Sequence, residues 1–167
     1  ARKKLKTLSD FAHTEGYKFL LEPLIFPTAN QLYHMNEKRD RYDMEMRPLL
    51  VLEMMKELQS EGIEPDIWKI EGMWEENDYA SAVAQARSGG RANVGIIILG
   101  RGDNKKHVEE WIKSGRDVEG VIGFAIGRTV FLDPLIEFKD NKISREKAVE
   151  EIAENYRYFY NMFTEKE

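Results

Sequence analysis

Four runs of nearly uninterrupted apolar residues mark the chain: KFLLEPLIF at 18–26, DIWKIEG at 66–72, VGIIIL at 94–99 and VIGFAI at 121–126. Each has the length of a strand, and each is separated from the next by a stretch with helical period. Strands apolar on both faces must be covered on both faces, and strands joined through helices run parallel. The alternation predicts an α/β fold on a parallel sheet: one helix, then four βα units, with residues 1–167 as a single domain.

The helices follow from spacing and punctuation. Lys3 to His13 places Leu5, Leu8, Phe11 and Ala12 on one face and is closed by Gly16. Pro27 to Asp43 reads as a polar loop. Met44 to Ser60 carries Pro48 in its first turn and Gly62 just beyond its end. Asn77 to Ser88 is expected to be capped by Asn77 or Asp78 and ended by Gly89 and Gly90. Asp103 to Ser114 is expected to be capped by Asp103, with Val108, Trp111 and Ile112 as its inner stripe. A short helical turn is expected near Phe131 to Phe138, and Ser144 opens the last helix, to Phe163.

Composition narrows the chemistry. With 42% hydrophobic and 33% charged residues the chain folds, and a formal net charge of -5 argues against nucleic acid or a membrane surface as partner. There is no cysteine, so disulfides and thiolate catalysis are excluded. The three histidines, His13, His34 and His107, lack the spacing of a ligand pair, and neither metal nor cofactor is expected. With no signal segment and no apolar run of membrane length, a cytoplasmic location is expected.

Polar residues inside apolar strands need a reason, because burying charge is costly. In DIWKIEG, Ile67, Lys69 and Glu71 share one face, and Trp68 and Ile70 share the other. Trp68 and Ile70 suit helices, which leaves Lys69 on the inside of a barrel or at the top of an open sheet. A desolvated lysine can serve as an amine nucleophile; the alternative is a lysine paired with Glu71 or Glu22. Glu22 interrupts FLLEPL ahead of Pro23 and is a candidate acid/base or a partner for Lys69. Two turns join glycine to arginine directly after strands: Gly100-Arg101-Gly102 and Gly127-Arg128. Glycines let backbone approach an anion and arginine adds a bidentate donor. On successive parallel strands the two turns are neighbours, and in TIM barrels the last two strands carry the phosphate loops. His34, Arg39 and Arg41 in the long loop are weaker candidates for substrate contact.

DIWKIEG, ILGRG, GFAIGRTVFLDPL and KISREKAVEEIAENYR resemble the aldolase-like domain of bacterial myo-inositol catabolism proteins, from about Tyr17 to Phe163. That domain is often fused to a 5-dehydro-2-deoxygluconokinase and is linked by name to 2-deoxy-5-keto-gluconate 6-phosphate aldolase. It is more distantly similar to class I tagatose-bisphosphate aldolases. The resemblance implies a TIM-barrel-like fold and Schiff-base cleavage of a phosphorylated keto-sugar without a cofactor. It implies Lys69 as the Schiff-base lysine, Glu22 as the strand-five carboxylate, and Arg101 and Arg128 as phosphate ligands with the backbone of Gly102 and Gly127. Glu22 or Glu71 would move protons.

A full (β/α)8 barrel typically needs about 250 residues. Four strands are here, matching strands five to eight, so the barrel is incomplete in this chain. Its open sheet is expected to be covered by a second copy or by an N-terminal half-barrel. Two rivals accompany the aldolase: a sugar-phosphate-binding or assembly half-barrel without chemistry, and a sugar-phosphate isomerase with Glu22 as base.

Overall fold

A computed structural model describes residues 2–165. Helix α1 (Arg2–Thr14) precedes a four-stranded sheet of β1 (Leu20–Leu21), β2 (Ile67–Glu71), β3 (Gly95–Leu99) and β4 (Val121–Ala125), in that spatial order. Every pairing is parallel. The sheet carries α4 (Arg47–Ser60), α5 (Glu76–Arg87), α6 (Lys105–Gly115), α7 (Arg128–Lys139) and α8 (Arg145–Thr164). The expected helix followed by four βα units is the architecture observed.

The core lies between one face of the sheet and these helices. Trp68 and Ile70 are registered beside Ile96 and Ile98, and all four are buried. Met55 of α4, Tyr79 of α5, Trp111 and Ile112 of α6 and Phe159 of α8 pack against them. A bulge between Ile96 and Ile97 sets Ile97 opposite Gly123 and Ile98 opposite Phe124. Phe124 thereby meets Tyr156 and Phe163 of α8.

Among the described residues the opposite face and both edges of the sheet are open. Leu20 on edge strand β1 is 45% exposed and Ile122 on edge strand β4 is 55% exposed. In α1 the face expected to be buried is only partly so: Ala12 and Ser9 are covered, while Leu8 and Phe11 are half exposed. Among the described residues no helix is long and apolar enough to cross a membrane.

Local departures from the expected elements have local causes. The stretch read as a polar loop contains α2 (Ala29–His34), nucleated by a reciprocal capping box between Thr28 and Gln31. A further turn, α3 (Arg39–Arg41), then runs through a π-helical turn at Tyr42–Met46 into α4. Strand β1 is only two residues long, because Pro23 cannot donate to a ladder and the backbone beyond it turns away. Helix α5 starts one residue early, at Glu76, and no side chain caps it. The cap of α6 is Asn104, whose side chain accepts the His107 N–H, in place of Asp103. Ser144 caps α8 as expected.

Candidate functional site

A cavity of about 460 Å³ opens at the C-terminal ends of the strands. In parallel α/β folds this end gathers the loops that carry chemistry. All four βα units contribute: Glu22 follows β1, Lys69 lies in β2, Arg101 and Gly102 follow β3, and Gly127 and Arg128 follow β4. Leu24, Phe26, Leu99 and Phe131 give it apolar walls.

Lys69 points away from the helices because its strand neighbours Trp68 and Ile70 are committed to the core. Its Nζ donates to Glu22 Oε2 at 2.8 Å. The two side chains are 20% and 36% exposed, so the pair is reachable from solvent. The lysine therefore has both the cavity and the carboxylate partner that sequence left as alternatives.

Glu71 is placed differently. It is buried, does not line the cavity, and both oxygens are occupied. One accepts the Ile25 N–H at 2.9 Å, and the other accepts from Arg101 at 3.2 Å and lies 3.8 Å from Arg47. Its work is to hold the backbone after β1 against the end of β2, helped by the Tyr42 hydroxyl on the Ile25 carbonyl.

Arg101 is bound inside the protein. Its guanidinium donates to Asp43 at 2.8 and 3.3 Å, to Glu71 at 3.2 Å and to Asp103 at 3.0 Å. Burial pulls this group down, but the bonds to Asp43 and Asp103 outweigh it and raise its basicity above the ordinary arginine value. Arg47, buried beside Asp43 at 3.2 Å, is shifted the other way by desolvation. Both guanidinium carbons lie near the Trp111 ring, 5.9 Å from its centroid for Arg47 and 5.7 Å for Arg101. Asp103 also accepts the Asn104 N–H and meets His107 Nδ1 at 3.0 Å. Burial works to raise its carboxyl, and these donors bring it below the usual carboxylate range.

Arg128 is exposed, lines the cavity, and has no carboxylate partner among the described residues. Its Nη2 donates to the Arg101 carbonyl at 2.8 Å, so the two glycine–arginine turns are in contact as their order implied. Gly100 stands behind the wall, packed on Ile126. His34, Arg39 and Arg41 stay outside the cavity; Arg41 pairs with Glu45, and Arg39 lies over Phe26.

Sequence reasoning missed Asp43 and Arg47, which form the buried charge cluster beneath the site. Their i, i+4 spacing was the available signal. No curated protein matches the chain. A family model described as an uncharacterized protein conserved in bacteria, DUF2090, matches residues 2–167, and the chain belongs to that family.

Proposed function

We propose that the cavity is a class I aldolase site for a phosphorylated keto-sugar, built on one half of a TIM-like barrel. The observation that carries this reading is the placement of the Lys69 amine and the Arg128 guanidinium in one cavity at the C-terminal ends of the strands. An amine that attacks a ketone and a cation that holds a phosphate are the two poles such a substrate needs.

Glu22 supplies the proton transfers. It takes a proton from Nζ, and the free amine attacks the ketone carbon. Glu22 returns the proton to the carbinolamine hydroxyl, which leaves as water and gives the iminium. The iminium draws the electron pair of the breaking carbon–carbon bond, and Glu22 accepts the hydroxyl proton of the departing aldehyde. That proton then goes to the enamine carbon, and hydrolysis frees the lysine. Glu71, with both oxygens occupied, takes no part in these transfers.

The open face and unpaired edges support the half-barrel reading, because parallel sheets are covered on both faces and exposed edges invite further strands. Four more parallel strands, from a second copy or a neighbouring half-barrel, would close the sheet. A non-catalytic sugar-phosphate-binding or assembly half-barrel is the second reading. The 2.8 Å Lys69–Glu22 ion pair favours it, since an ammonium must lose its proton before it can attack.

Borohydride reduction in the presence of dihydroxyacetone phosphate separates the two. The aldolase reading expects one stable adduct in the intact mass, lost in Lys69→Met. No adduct leaves the binding reading.

A further inference from the structure

We infer that Arg101 is a positioning residue for Arg128: its internal ion pairs hold a left-handed turn that seats the Arg128 guanidinium at the cavity, and Arg128 supplies the anion-binding charge. The inference rests on the phosphate-binding half of the proposed function and is independent of the Schiff-base half.

Four N–H bonds of the Arg101 guanidinium are already made, two on Asp43 and one each on Glu71 and Asp103. Asp43 and Glu71 are buried, so an arriving anion would have to displace carboxylates that have no water to turn to. A guanidinium enclosed by three carboxylates offers little surplus positive potential. Arg128 has the opposite surroundings. Its one hydrogen bond goes to a neutral carbonyl, and its charge is uncompensated among the described residues.

The turn between them explains why an arginine stands at 101. Arg101 adopts φ +53° and Gly102 φ +70°. A non-glycine residue is strained in that left-handed conformation, so something must hold it there, and the ion pairs of the Arg101 side chain do. With the backbone so turned, the Arg101 carbonyl accepts Arg128 Nη2 at 2.8 Å. The next residue completes the seat: a Cβ on Gly102 would fall 2.3 Å from Arg128 Cζ. The guanidinium therefore rests directly against the Gly102 backbone, in the space a side chain there would take. Thr129 Oγ1, donating to the Asp103 carbonyl at 3.2 Å, ties the second turn to the first. The motif Gly-Arg-Gly thus works as a mould for the arginine of the next βα unit.

Titration of the full chain with inorganic phosphate, followed by NMR, tests this. Arg128→Lys is expected to weaken phosphate about tenfold with the melting temperature unchanged, because lysine keeps the charge but loses the planar fork. Gly102→Ala is expected to weaken it comparably, by crowding the guanidinium and straining a backbone held at φ +70°, and to add less than twofold in the Arg128→Lys background. Arg101→Met is expected to show the same non-additivity while also lowering stability. Should it fail to fold, the Gly102 cycle carries the test. Additive losses for Arg101→Met and Arg128→Lys would make Arg101 a direct ligand and overturn the inference, as would unchanged affinity in Arg128→Lys. A wild-type chain that takes no phosphate overturns it together with the anion half of the proposed function. Intact phosphate binding without a Lys69 adduct fails the Schiff-base half alone.

Discussion

Lys69 Nζ and Glu22 Oε2 meet at 2.8 Å inside the cavity, bringing β2 and the segment after β1 together. Both side chains retain access to solvent, and ion pairs of this kind contribute only about 0–1 kcal/mol to stability. Glu22→Gln is therefore expected to shift stability by less than about 1 kcal/mol, while slowing Lys69 adduct formation at least tenfold. Thermal melts and time-resolved borohydride trapping measure the two effects. Equal trapping rates in both proteins would remove Glu22 from the chemistry.

The charge cluster beneath the site behaves differently. Arg47 is buried between Asp43 and Glu71, and removing one member of a buried network costs about 3–5 kcal/mol. Arg47→Met is expected to lower the melting temperature by roughly 10 °C. A change within 2 °C, by calorimetry or circular dichroism, would mean that the cluster does not hold the site together.

Acid should loosen the same region. Asp103 has its folded-state carboxyl held below its ordinary range, so the unfolded chain binds the proton more readily. Its contribution is fully present above the ordinary aspartate value and is lost as pH falls through the lowered one. Melting temperature against pH is expected to decline less steeply below about pH 4 in Asp103→Asn than in the wild type. Superimposable acid limbs would contradict the assignment.

The open sheet predicts association. Ile122 stands 55% exposed on an edge strand, and a substitution there leaves the packed face untouched. By sedimentation the wild-type chain is expected to carry the mass of two copies, and Ile122→Lys that of one. A monodisperse single-chain mass for the wild type would require the covering strands to come from elsewhere.

Much of the fold was legible because apolar strand runs and helical period are local signals. The alternation of Trp68 and Ile70 with Lys69 places the lysine on the open face with no further information. What escaped depended on tertiary partners. Pro134 argues against a long helix at 128–139, since it leaves the Val130 carbonyl without an intrahelical donor; Asn155 of α8 supplies one at 3.0 Å. Leu8 and Phe11 read as part of the apolar face of α1, yet both are about half exposed. Arg101 read as an anion ligand because its turn is glycine-rich. Only the fold shows that Asp43, 58 residues earlier, holds its side chain. Strand alternation groups Glu71 with Lys69, but its buried neighbours Arg47 and Arg101 hold it beneath the site, out of the cavity lining.

If the proposed function holds, Lys69 and Arg128 grip opposite ends of one substrate molecule. Peptide-resolved mass spectrometry after borohydride reduction with dihydroxyacetone phosphate, with and without competing inorganic phosphate, reads out this two-ended grip. A two-ended grip gives a reduced adduct on Lys69 alone, diminished by phosphate and weakened in Arg128→Lys. Labelling spread over surface lysines, or a Lys69 adduct indifferent to both phosphate and Arg128, would contradict it.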